Sequence, residues 1–241
     1  MKQFLLTTTL IASLAVPAIG QQSDERIKEL ALEAILENPD IIAEAIQILQ
    51  ERQRESQQIS AENVFKENRD VFLSADNAPV LGNPEGEITI VEFFDYNCSY
   101  CRRAFDAVRD VIAENPNVQV IMREFPILGE GSVAAARVSL AAMKQGKYKE
   151  FHWALMDDSF SANGIQEESA MKVARDIGMD MDQLAIDMND PEIDAHINAT
   201  REMAQAIGFN GTPAFIVADQ IVPGFVEKDT LLQIIAEAEK G

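Results

Sequence analysis

Cysteine is nearly absent from this chain: 241 residues carry only two, and histidine is equally scarce. Two thiols exclude a scaffold stapled by several disulfides, so if they matter it is as a single pair with chemistry of its own. Basic residues are also in short supply, 20 Lys+Arg against 40 Asp+Glu. The formal charge of −20 would repel phosphate backbones and anionic lipid, which proteins recognise through basic surface. Nucleic acid is therefore not expected as a partner. Apolar residues are not lacking: at 47% of the chain they suffice for the core of one large domain, or of a modest domain with an appendage, and exclude a disordered or collagenous chain.

The first twenty residues stand apart. Lys2 supplies a positive start, Phe4 to Ala15 an apolar run too short for a comfortable membrane span, and Ala18-Ile19-Gly20 a small-x-small cleavage pattern. Residues 1–20 read as a secretory signal rather than an uncleaved anchor. Export would bring the cysteine pair into an oxidising compartment, where it can cycle or stay bridged.

Residues 21–75 then read as an acidic helical region. Asp24 to Glu37 places Ile27, Leu30, Ala34 and Ile35 at helical spacing. Asn38-Pro39 reads as a stop and restart, with Asn38 capping and Pro39 at the first position of the next helix. Ile42, Ala45, Ile46 and Leu49 form a second apolar stripe, after which Gln50 to Gln58 is almost wholly polar. Two short amphipathic helices cannot make a core alone, so they point to oligomerisation, with packing onto the main domain or service as a stalk as the alternatives. Ser74 to Glu87, rich in Asn, Pro, Gly and Asp, reads as a linker.

The informative segment runs from Ile88 to Arg103. Its β-branched and aromatic first half has strand character; from Asn97 onward Cys101, Phe105, Val108 and Ile112 follow a helical period that ends near Asn115-Pro116. Cys98 and Cys101 therefore lie at a strand-to-helix turn. Unpaired N–H groups at a helix start stabilise a thiolate, which marks Cys98 as the nucleophile. Cys101, one turn deeper, is placed to attack a mixed disulfide formed at Cys98. Arg102 and Arg103 either help to stabilise the thiolate or are simply solvated. Structural zinc wants four ligands; there is no second CxxC, and His152 and His196 follow no ligand spacing. A static disulfide across three residues would constrain little. Redox exchange is the reading that remains.

A strand, a CxxC opening a helix, a second strand at Val118 to Phe125 and a late Gly211-Thr212-Pro213-Ala214-Phe215 together resemble the DsbA-like thiol:disulfide oxidoreductases. The resemblance implies an α/β thioredoxin fold over residues 76–241, with a helical insertion at about 131–207. Within that insertion, helices are expected over Ser132 to Met143 and Glu168 to Ile177, with a last one capped by Asp190-Pro191 and stopped at Gly208. It also implies that Thr212 and Pro213 form a cis-proline loop facing the CxxC, where substrate backbone binds beside Ser99 and Tyr100. Glu92, six residues before Cys98, takes the place of the buried acid that moves the proton of the second cysteine. If buried it would have a raised pKa; strand alternation alone leaves a solvated Glu92 open.

Ahead of this domain, Glu37-Asn38-Pro39-Asp40 with Ile41-Ile42 is similar to the N-terminal region of the ScsC (suppressor of copper sensitivity) group, which can trimerise its catalytic domains and confer isomerase activity. Ser99-Tyr100 departs from the Pro-His of the strong oxidases. The resulting expectation is a periplasmic disulfide isomerase or reductase, with no cofactor beyond a redox-active Cys98–Cys101 disulfide. Its partners would be exported cysteine-containing proteins, a membrane redox partner and, as a homo-oligomer or trimer, its own copies. A monomeric DsbA-type oxidase is one alternative. Another, of a different class, is a Cu(I)-binding protein using the soft thiols, with Met179 and Met181 the tempting extra ligands; methionine in helices more often fills core.

Overall fold

The β-branched run Ile88–Phe94 forms a strand buried on both faces, and the rest of the domain is arranged around it. The computed structural model describes residues 19–156 and 164–240; the signal assigned to residues 1–20 falls, but for its last two residues, outside the described residues. By their contacts the residues up to Ser56 form one unit and those from Gln57 onward another.

In the first unit, helix α1 (Ile19–Glu37) is followed by the start of α2 (Asp40–Glu67). Asn38 acts differently from the sequence expectation. Its side-chain Nδ2 donates to the carbonyl of Ala34, 3.1 Å away, and so finishes α1, and the next helix begins at Asp40 rather than at Pro39. The last carbonyls of α1 have no N–H partner within the helix, and the carboxamide N–H supplies one. The apolar side chains of this unit are exposed, Ile27 at 63% and Leu49 at 63% among them.

The second unit begins with the end of α2, where the pattern turns apolar again. Phe65 there is buried against Phe72 of the short helix α3 (Arg69–Phe72), their ring centres 5.7 Å apart. These residues, assigned on sequence to the N-terminal helical region, belong to the core of the second unit. Phe65→Ala is accordingly expected to lower the domain's stability by about 3 kcal/mol in urea unfolding.

The assigned linker contains a strand, which corrects that reading. Val80–Gly82 (β1) pairs antiparallel with β3 (Val118–Glu124), Val80 opposite Ile121. Three residues between turn formers show no period on their own; an exposed strand edge recruits them. The sheet has the order β1-β3-β2-β4-β5, where β2 is Ile88–Phe94, β4 is Ala214–Val217 and β5 is Gln220–Val222. β2 runs parallel to β3 and antiparallel to β4.

Alternation along β2 divides the core. Ile88, Ile90 and Phe94 join one cluster with α4 (Ser99–Glu114) and the following helices, and Val91 and Phe93 join another with Phe65, Phe72 and Ile207. The helices inserted between β3 and β4 are α5 (Glu130–Lys144), α6 (Tyr148–Met156), α7 (Glu167–Asp176), α8 (Met181–Asp187) and α9 (Pro191–Ala206). Asp190 caps α9 by accepting from the N–H of Glu192 at 2.9 Å, with Pro191 in the first turn. Gly208 follows with φ 75°, a conformation that ends the helix cheaply only at glycine. Helix α10 (Lys228–Ala238) closes the chain over α4 and β4. Among the described residues no helix is long and apolar enough to cross a membrane.

Candidate active site

β2 ends at Phe94, and the turn after it delivers Cys98 to the N-cap of α4 with extended backbone, φ −81° and ψ 118°. No side-chain oxygen caps this helix. The sulfur takes that place, facing the N–H groups of Tyr100 and Cys101. Both cysteines are free thiols and buried, Cys101 completely. Across from them the Thr212–Pro213 peptide is cis, and the Cys98 Sγ lies 3.1 Å from the Thr212 carbonyl oxygen, to which the thiol donates.

The two thiols are unlike. Cys98 is lowered from an ordinary 9.0 to about 6, first by the hydrogen bond from the Cys101 thiol, then, against its own desolvation, by the Thr212 side-chain hydroxyl and the two helix N–H groups. Cys101 is pushed far above the thiol range by burial, by donating to the Cys98 sulfur and by the negative charges of Glu92 and Cys98. One sulfur is thus ionised near neutrality while the other keeps its proton.

Glu92 is buried, and register explains why. It sits on the α4 face of the sheet with Met122 of β3 on one side and Phe215 of β4 on the other. Desolvation there, and then the charge of Cys98, raise its carboxyl from 4.5 to about 8. The solvated alternative left open by alternation is overturned, because strands flank β2 on both edges. Ser99 and Tyr100 are exposed at the rim; Tyr100 leans on Phe225 with ring centres 6.0 Å apart, and the Arg103 guanidinium lies 4.5 Å from the Phe225 ring centre. Arg102 reaches back to the Tyr96 carbonyl at 3.1 Å.

Two residues that hold this turn were missed on sequence. The buried Asp95 carboxylate accepts from the backbone N–H of Asn97 at 2.8 Å, and from those of Ile127 and Leu128 at 2.8 and 3.0 Å. Asn97 in turn bonds both backbone groups of Ile165, its Oδ1 accepting at 2.5 Å and its Nδ2 donating at 3.0 Å. The Asp-x-Asn spacing is a legible Asx-turn signal, but partners 32 and 68 residues away leave no local trace. Asp95→Asn leaves one acceptor oxygen for three donors and is expected to cost about 2 kcal/mol. Thermal unfolding of the reduced protein checks this.

Tyr96, on the same turn, bonds Ser139 Oγ at 2.7 Å and His152 Nδ1 at 3.0 Å, and Tyr148 donates to the buried Glu124 at 3.3 Å. His152, lowered to about 3 by burial, is neutral; His196 is buried with its Nδ1 donating to the Asn77 carbonyl at 2.7 Å. Met179 is buried in the core and Met181 packs against it. Among the described residues no three of His, Cys, Asp and Glu are grouped to hold a metal.

A thioredoxin-like oxidoreductase from Silicibacter pomeroyi DSS-3 is 53% identical to this chain, covering 72% of it and 99% of that protein, with a TM-score of 0.69. Two further solved structures extend over the N-terminal helices. Salmonella enterica Typhimurium BcfH is 27% identical over 91% of this chain and 97% of its own, TM-score 0.74, and Proteus mirabilis ScsC in a transitional conformation is 25% identical over 91% and 98%, TM-score 0.65. The chain spans about a quarter, 26%, of the length of the first curated relative it matches, an Na(+)/H(+) antiporter NhaA from Herminiimonas arsenicoxydans that is 25% identical over 164 residues. Residues 89–236, from the strand before the dithiol to the last helix, match the family model of the DSBA-like thioredoxin domain, and the chain belongs to that family.

Proposed function

We propose that the protein is an exported thiol:disulfide oxidoreductase acting on cysteines of periplasmic polypeptides, used as an isomerase or reductase rather than for net oxidation. The observation that carries this reading is the contrast between the two thiols, one lowered to about 6 and the other held protonated beside a buried acid. The Cys98 thiolate attacks a substrate disulfide; a Cys98–substrate bond forms and the second substrate sulfur leaves as thiolate. In isomerisation another substrate thiolate attacks the mixed disulfide and regenerates Cys98 with no net electron transfer. In reduction Cys101 attacks the Cys98 sulfur, its proton passing to Glu92 in the minority of molecules, about a tenth at pH 7 for a carboxyl near 8, in which that acid is ionised, and the substrate leaves as thiolate while Cys98–Cys101 closes as a disulfide. A membrane redox partner would then return two electrons. Thr212 and Pro213 would pair with the substrate backbone, with Ser99 and Tyr100 at the rim.

Isomerase use is supported by the exposed apolar side chains of α1 and of α2 up to Ser56, whose burial between copies would gather catalytic domains around one space. Reactivation of scrambled, fully oxidised ribonuclease tests this, with the full chain beside one starting at Gln57, which keeps Phe65 and Phe72 in the core. Reactivation is expected from the full chain only. Exchange of a small disulfide by both, without reactivation by either, would overturn isomerase use and leave a dedicated reductase or a monomeric oxidase.

A further inference from the structure

The loop that carries the cis peptide opens with an asparagine followed by a glycine, Asn210-Gly211, and both residues are exposed. We propose that Asn210 is a site of spontaneous modification: its carboxamide is lost through a cyclic imide, and the acid left behind places a negative charge near the dithiol. The modification stands apart from the exchange reading above, because it is read by mass and by thiol titration.

Ammonia and water balance the step. The Gly211 backbone nitrogen, giving up its proton, attacks the side-chain carbonyl carbon of Asn210; that N–C bond forms while the Cγ–Nδ2 bond breaks and ammonia leaves. Water then opens the five-membered imide at either carbonyl. The product is aspartate or, with the backbone rerouted through the side chain, isoaspartate. No electron is transferred. What the step requires is a peptide nitrogen that is not engaged elsewhere and a backbone free to turn toward the carboxamide.

Local structure meets both requirements at Asn210. Among the described residues the Gly211 N–H donates no hydrogen bond. A Cβ built on Gly211 would meet no atom within 4 Å, and glycine has the widest choice of φ and ψ. The carboxamide is held by one exposed bond, from Nδ2 to the Gly208 carbonyl at 3.0 Å, for which water competes at both ends. Other asparagines lack this combination. Asn97 has its carboxamide held at both ends by Ile165, and Asn38, Asn83 and Asn115 precede prolines, whose nitrogen has no proton to give up. The chain's other Asn-Gly is Asn163-Gly164, of which Asn163 lies outside the described residues.

Position gives the new charge its consequence. Two residues on, the Thr212 carbonyl oxygen lies 3.1 Å from the Cys98 sulfur. At about 3.8 Å per residue a charge on residue 210 falls roughly 10 Å from that sulfur. It favours the thiol over the thiolate and so opposes the helix N–H groups. Through a water-like medium this amounts to about a two-fold rise in proton affinity at low salt, and it fades once the separation exceeds the screening length.

The test incubates the full chain, kept reduced at mildly alkaline pH, beside a synthetic peptide spanning Gln205 to Ile216. Peptide mapping by mass spectrometry separates Asn210 from Asn163. Conversion at Asn210 is expected in both samples and not in Asn210→Gln, whose longer side chain would have to close a six-membered ring. In the incubated chain, and in freshly prepared Asn210→Asp, the ultraviolet thiolate titration of Cys98 is expected to move upward by about two-fold in proton affinity at low salt. Asn210→Gln should titrate as the fresh chain does, before and after incubation. A native chain that keeps Asn210 throughout the time in which the peptide is converted would overturn the modification. An unchanged Cys98 titration in the converted chain, or a shift there that Asn210→Asp does not share, would overturn the effect of the charge on the dithiol.

Discussion

Cys98→Ser is expected to lower disulfide exchange by at least about a thousand-fold, because a serine hydroxyl near neutral pH offers no nucleophile comparable with a thiolate. The Cys98 thiol is lowered from 9.0 to about 6, so ultraviolet thiolate absorbance should titrate near pH 6 in the reduced protein and vanish in this variant. Cys101→Ser should behave oppositely, keeping the first step and accumulating mixed disulfide. A depressed thiol pKa also shapes stability. Between the folded value of about 6 and the unfolded 9.0 the unfolded chain binds more protons, so this group's contribution to the reduced fold is full above pH 9, shrinks as pH falls and is gone below about pH 6. Substantial exchange by Cys98→Ser, or no thiolate titrating below pH 8, would remove the mechanism.

Glu92→Gln is expected to make the protein more stable and a poorer catalyst. The carboxyl is buried between Met122 and Phe215 and raised to about 8 from 4.5, mainly by desolvation. Here the folded state binds the extra proton, so the sign is the reverse of that for Cys98: the penalty is absent below pH 4.5, grows with pH, and levels off above about pH 8. Keeping the acid protonated at pH 7 costs about 3 kcal/mol, and the amide, which never ionises, escapes that cost. Urea unfolding of both proteins at pH 4 and pH 7 should show the gap opening with pH. The variant should also lose 10²-fold or more in the step where Cys101 gives up its proton, the lower end of general-base contributions, seen as slower release of a trapped mixed disulfide. A gap independent of pH would mean that Glu92 is not the titrating group.

How much of this was legible follows from how local each signal is. The turn bearing Cys98 and Cys101 shows itself because a β-branched and aromatic run of strand length gives way to the helical spacing of Cys101, Phe105, Val108 and Ile112 within a few residues. Asp190-Pro191 and Gly208 mark the ends of α9 for the same reason, since each acts on its own backbone. Val80–Gly82 could not be read, because only the open edge of β3 makes it a strand. Phe65 could not be placed either; its partner Phe72 is near in sequence, but the floor beneath both includes Ile207 and Ile216.

By itself, then, the sequence determined the local chemistry: a thiol pair at a helix start, a carboxylate in an apolar strand and a Thr-Pro dipeptide far downstream. Only the tertiary structure decided what each of these experiences. Sheet pairing seals Glu92 between two neighbours and denies it water, and chain reversal brings Thr212 to 3.1 Å from the Cys98 sulfur across 114 positions. Folding the helices between β3 and β4 back onto the turn lets Ile165 hold Asn97. Solvation and field depend on every group that arrives nearby, and those arrivals are set by the fold as a whole.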